Sequence, residues 1–222
     1  MNPALVLLLA VSFAEAQTPV EDVRFKTPDG WTLAASYRKP AKGKPVAVLI
    51  HGVAAGKGEW DAFAAELWTR GYGTLAIDLR GHGDSIQGPS GTSDFHSFDR
   101  TGDWPRAQAD LEAALAYLQT RGLKRRRVGL IGASIGANLA SKVEAPWLIL
   151  LSPGRDYRGV TLADPRGRKA LVCASKTDAY AYETTRASSG KTLYAENGHG
   201  VQMFSDGEFL KGLLAWLEAN AR

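Results

Sequence analysis

Residues 132–136 read Gly-Ala-Ser-Ile-Gly. In a chain with 24 glycines a G-x-S-x-G string carries little weight until its neighbours are counted. The chemistry it would need is definite. A serine hydroxyl is a weak nucleophile at neutral pH, so Ser134 requires a base within hydrogen-bond reach and a third group that orients the base. There are four histidines. His199, in Glu196-Asn197-Gly198-His199-Gly200, follows the last strand-like run and precedes the last helical one, which aims it out of the carboxyl edge of a sheet. His51 belongs to a His-Gly pair in which the backbone amide is the useful group, and His82 to the tight turn Gly81-His82-Gly83-Asp84-Ser85. Both read as packed, hydrogen-bonded loop histidines. His96 lies in a polar loop with no strand to aim it, so His199 is the predicted base. Asp178, just past the apolar run 170–174, is the predicted acid; capping the following helix is a compatible role, and Asp156 is the reserve. The oxyanion of an acyl-transfer intermediate needs preorganised donors. The Ile135 amide, at a helix N-terminus, is one. The Val53 amide, in the loop after residues 46–50, is the second, with Ala54 as its alternative. Gly132 and Gly136 are required because side chains there would collide across so tight a turn.

These residues need a scaffold that brings strand ends together. Residues 23–27 and 31–37 are β-rich and separated by Pro28-Asp29-Gly30, a hairpin signature. Residues 46–50, 74–77, 128–131, 147–151, 170–174 and 192–195 are short apolar runs of the kind buried on both faces. Between them, residues 59–70, 103–121, 134–143 and 206–220 place apolar side chains at helical spacing. A helix over 179–185 follows Asp178. Strands alternating with helices after an opening hairpin imply one domain with a mostly parallel, eight-stranded sheet covered on both faces.

At 222 residues with 45% hydrophobic content, the chain supports one sizeable core. Residues 4–14 are apolar and end in Ala14-Glu15-Ala16, a signal-peptidase pattern. Residues 1–16 therefore read as a signal peptide, cleaved near Ala16, and residues 17–222 as a secreted or periplasmic domain. The run falls short of the roughly 20 residues of a membrane-spanning helix. Cys173 is the single cysteine and reads as a small core residue. The net charge of +4 is concentrated only at Arg121 and Lys124 to Arg127, with no interleaved aromatics, which argues against a nucleic-acid partner and for a solvated loop.

Taken jointly, the His51-Gly52 loop, the segment Asp78-Leu79-Arg80-Gly81-His82-Gly83-Asp84-Ser85, the Ser134 elbow and the Asp178 and His199 positions resemble the α/β-hydrolase superfamily from about residue 23 to the carboxyl terminus. The chain order Ser, Asp, His is that of this fold. Asp103-Trp104-Pro105, Ser152-Pro153-Gly154 and Gly198-His199-Gly200 leading to Met203-Phe204 look like small esterase-type members related to dienelactone hydrolases and serine-peptidase-like hydrolases. Dienelactone hydrolases proper look to have cysteine at the nucleophile position, so Ser134 argues against that activity. The resemblance implies a serine hydrolase of small carboxylic esters that needs neither metal nor cofactor. A thioesterase or peptidase would use the same triad, and a non-catalytic binding member of the fold is the alternative from another class. Residues 152–169, rich in Gly, Pro and Arg, are too broken for a large lid. Residues 86–102, with Phe95 and Phe98, are the candidate for a partial cover.

Overall fold

The computed structural model describes residues 18–221; the expected signal peptide and its cleavage point lie outside the described residues. Eight main strands form one sheet. They are β1 (Glu21–Lys26), β2 (Thr32–Arg38), β3 (Val46–Ile50), β4 (Gly73–Ile77), β5 (Val128–Ala133), β6 (Leu148–Leu151), β7 (Ala170–Ser175) and β8 (Lys191–Ala195). Their spatial order is β8-β7-β6-β5-β3-β4-β2-β1. β1 and β2 form the expected antiparallel hairpin, β2 also runs antiparallel to β4, and every pairing from β4 to β8 is parallel. A two-residue ribbon, Gln87–Gly88 with Gly91–Thr92, extends the sheet beside β2.

Strand alternation sends successive side chains to opposite faces, and the sheet is buried on both. In β3, Val46, Val48 and Ile50 join one core and Ala47 and Leu49 the other; β5 and β6 divide in the same way. The helices α2 (Gln108–Thr120) and α3 (Ile135–Ser141) cover the first face. α1 (Asp61–Thr69) and α5 (Gly207–Asn220) cover the second through Phe63, Leu67, Phe209, Leu213 and Leu217. α4 (Ala179–Arg186) packs beside β7. The helix expected over 103–121 is interrupted at Ala107, which closes a short turn at Asp103–Arg106 before α2 begins. At the break the Ala107 amide is shared between the carbonyls of Asp103 (3.1 Å) and Trp104 (3.2 Å), and the Asp110 amide turns back to the Ala107 carbonyl (3.1 Å), the tighter bonding of a three-residue turn. Among the described residues, no helix is long and apolar enough to cross a membrane.

The charged run before β5 is a paired surface edge. Arg121 meets Glu21, Arg125 meets Glu112, and Arg127 donates to the Gly43 carbonyl. Cys173 is fully buried, and burial pushes its thiol pKa up.

Candidate active site

The carboxyl ends of β3, β5, β7 and β8 open onto one edge, and the expected site residues sit there. Ser134 turns the chain from β5 into α3 with φ 55° and ψ −123°, a conformation costly for a residue with a Cβ. The neighbouring glycines make the turn possible, for two different reasons. A Cβ at Gly132 would approach the Gly136 carbonyl oxygen to 2.2 Å, across the turn as expected. At Gly136 the expectation needs correction: a Cβ there would meet the carbonyl oxygens of Ile50 and His51, at 2.4 and 2.5 Å. Gly136 thus lets α3 lie against the end of β3.

His199 and Asp178 are paired. His199 Nδ1 lies 2.5 Å from Asp178 Oδ2, while Asp178 Oδ1 accepts the Ala181 amide at 3.3 Å and caps α4. The two roles expected of Asp178 fall on its two oxygens. An Nδ1–H given to a carboxylate leaves Nε2 free to accept a proton. Asp156 instead accepts the Gly159 amide at 2.8 Å, and among the described residues the carboxylate hydrogen-bonded to His199 is that of Asp178. The turn carrying His199 is held by side chains whose part in it no spacing in the sequence shows. Ser175 Oγ donates to the Gly198 carbonyl at 2.5 Å, the Gly200 amide donates to Ser152 Oγ at 2.9 Å, and the His199 amide donates to Gln202 Oε1 at 3.1 Å. Gly200 lies close enough to the elbow that a Cβ would come within 3.2 Å of the Ala133 methyl. The Ser134 hydroxyl makes no hydrogen bond to His199 among the described residues; it lies beside the hydroxyl of Tyr157. Contacts of this kind often close only once substrate is bound.

On the other side of Ser134, Gly52 presses against it, and a Cβ at 52 would sit 3.3 Å from the Ser134 Cβ. The Gly52 amide is already used: it donates to Glu59 Oε1 at 3.2 Å. Neither the Val53 nor the Ile135 amide donates to any described residue. Ala54, the alternative to Val53, is exposed at a positive φ of 58°. Glu59 is half-buried; burial pushes its carboxyl up to about 7, partly offset by the Gly52 amide. It has no motif around it, so only the fold reveals its place behind this loop.

The remaining histidines serve as framework. His51 is fully buried, accepts the Leu79 amide at Nε2 (3.0 Å) and donates from Nδ1 to the Gly52 carbonyl (2.7 Å). Burial pushes its pKa down to about 4, which keeps the ring neutral. His82 is buried, donates to the Arg80 carbonyl and stacks on Phe95 with ring centroids 4.3 Å apart. His96 is exposed next to Asp94. Phe98, expected over the site, is a core side chain packed edge-on against Trp31 and Trp104. Among the described residues, no group of three or more His, Cys, Asp or Glu side chains is placed to hold a metal ion.

A family model described as the alpha/beta hydrolase family matches residues 47–221. Among curated proteins the sequence has no match. Solved structures with a similar fold include an esterase from Pyrococcus furiosus, at TM-score 0.69 and 17% identity over 92% of this chain and 94% of that one. A dienelactone hydrolase from Anabaena variabilis follows at TM-score 0.67 and 18% identity, covering 93% of this chain and 100% of that one. An esterase from Exiguobacterium antarcticum reaches TM-score 0.65 at 14% identity, covering 89% and 100%. At these identities the likeness is one of fold.

Proposed function

The chain belongs to the alpha/beta hydrolase family, and from that premise we propose that it is a serine hydrolase of carboxylic esters. The observation that carries the reading is the His199–Asp178 pair, 2.5 Å between Nδ1 and Oδ2, at the same sheet edge as the strained Ser134 elbow. Strain at a non-glycine residue persists only where the surroundings enforce it, and it clusters where exposed side chains do chemistry. In this reading His199 Nε2 takes the Ser134 proton as Oγ attacks the ester carbonyl. Asp178 holds the imidazole in the Nδ1–H tautomer and stabilises the imidazolium. The amides of Val53 and Ile135 have no other partner among the described residues and meet the developing oxyanion, with the dipole of α3 behind Ile135. His199 then protonates the departing alcohol; water, deprotonated by the same nitrogen, adds to the acyl carbon, and as the bond to Oγ breaks Nε2 returns that proton to Ser134, releasing the acid. Glu59 supports this arrangement by occupying the Gly52 amide, which fixes the His51–Gly52 peptide plane, while His51 Nδ1, donating to the Gly52 carbonyl, fixes the next plane, which carries the Val53 amide.

Ester is preferred over thioester or amide as the bond cleaved because the neighbours named above include two esterases; the triad chemistry itself serves all three. The test is a matched panel of acetyl esters, thioesters and amides with wild-type protein and Ser134→Ala. Ester turnover that falls to the uncatalysed rate in the variant supports the reading. Turnover that survives in Ser134→Ala refutes it.

A further inference from the structure

The stretch between β6 and β7 is no lid, yet it is firmly placed. It folds into a ribbon, Asp156–Tyr157 against Val160–Thr161, clamped to α3 by the fully buried Asn138. Asn138 Nδ2 donates to the carbonyls of Gly154 (2.8 Å) and Val160 (2.7 Å), and its Oδ1 accepts the Gly154 amide (3.2 Å). Ser141 Oγ accepts the Ala163 amide at 2.9 Å. Clamped in this way, the ribbon carries Tyr157 back over the site. Its ring lies on Gly154, where a Cβ would come within 2.7 Å of Cζ, and stands edge-on to His199 with centroids 6.4 Å apart. The Tyr157 hydroxyl donates to the Ser152 carbonyl at 3.3 Å, the long end of the hydrogen-bond range.

Topology fixes which side of Ser134 this hydroxyl occupies. β5 is flanked by β3 on one side and β6 on the other. The Val53 loop follows β3, whereas Tyr157, Asp178 and His199 follow β6, β7 and β8. An oxyanion drawn toward Val53 and Ile135 leaves the alcohol side of the tetrahedral carbon facing His199 and Tyr157. Burial, followed by the charge of Asp178, pushes the Tyr157 hydroxyl up to about 12; at neutral pH it keeps its proton and can donate but not act as a base. We propose that Tyr157 is a second hydrogen-bond donor to the leaving-group oxygen of the ester. This rests on Ser134 being the nucleophile. When the intermediate collapses, the bond from the acyl carbon to the alcohol oxygen breaks and its electron pair stays on that oxygen. His199 transfers its Nε2 proton there, and Tyr157 swings its long hydrogen bond from the Ser152 carbonyl to the same oxygen without losing its own proton. In the second half, water takes the vacated place, gives one proton to His199 Nε2 and is held in line by Tyr157.

Tyr157→Phe tests this, because the ring keeps its seat on Gly154 and only the hydroxyl is lost. The readout is kcat/KM, which reports acylation, for two acetates: benzyl acetate, whose alkoxide leaves poorly, and p-nitrophenyl acetate, whose phenolate leaves unaided. A loss of about tenfold on benzyl acetate with less than about twofold on p-nitrophenyl acetate, the scale of one hydrogen bond, supports the proposal. Equal losses on both esters, or none on either, overturn it and leave Tyr157 a packing residue. Parallel labelling with a fluorophosphonate separates the two levels. With an adduct on Ser134, a flat Tyr157→Phe result removes this proposal alone; without one, the nucleophile assignment fails and takes the proposal with it.

Discussion

At the scale of single residues, Asp178 divides two tasks between two oxygens, and a conservative replacement separates them. Asparagine caps helices as well as aspartate does, so Asp178→Asn keeps the Ala181 contact at 3.3 Å. Its amide would instead donate toward His199 Nδ1 and stabilise the wrong tautomer. Ester kcat is therefore expected to fall on the order of 10³- to 10⁴-fold with an unchanged melting temperature; near-normal turnover would remove Asp178 from the acid role. Glu59 offers a second residue-scale test. Its carboxyl is raised from 4.5 to about 7, so the stability it confers is complete below pH 4.5 and is lost as pH rises through 7. Thermal melts of wild type and Glu59→Gln across this window should diverge, with the wild type losing stability that the variant retains; parallel profiles would contradict the assigned environment. That Ser134, Asp178 and His199 would come to one sheet edge was legible in the sequence, because each follows a recognisable strand. The parts played by Glu59, Ser175 and Tyr157 were not, because they depend on what lies across space and no local pattern marks them; Ser152 stood out only within Ser152-Pro153-Gly154, with no sign that it holds the Gly200 amide.

At the scale of elements, the elbow and the ribbon after β6 are two parts held by one helix. α3 supplies the Ile135 amide at its start and the Asn138 clamp one turn later. Asn138→Leu keeps the branched shape and strands the Gly154 amide and the Gly154 and Val160 carbonyls, which are buried; a loss of about 3 kcal/mol is expected in urea unfolding, and a loss under about 1 kcal/mol would mean that the ribbon stands without the clamp. Strand and helix identities were legible from periodicity, since runs buried on both faces and helical spacings leave different patterns. The interruption at Ala107 and the true neighbour of Gly136 were not. The first is a local tightening of the backbone at Ala107 that leaves no mark in the apolar spacing, and the second depends on β3 and α3 being adjacent, which no spacing within residues 132–136 reveals.

At the scale of the whole molecule, the segment Asp78-Leu79-Arg80-Gly81-His82-Gly83-Asp84-Ser85 holds the layers in register. Buried Arg80 hydrogen-bonds Asp110 of α2 and Asp29 of the β1–β2 turn. Asp78 accepts from Lys57, and the Leu79 amide fixes His51 beside the Val53 loop. The motif that carries much of the family resemblance is thus framework for the Gly52–Val53 loop. Framework and site together make one claim: that the fold presents a single activated hydroxyl. Labelling the intact protein with a fluorophosphonate, followed by peptide mapping, tests that claim most directly. One adduct per chain, on Ser134 and absent from Ser134→Ala, is the expected result; no adduct, or one on another residue that persists in Ser134→Ala, would contradict it.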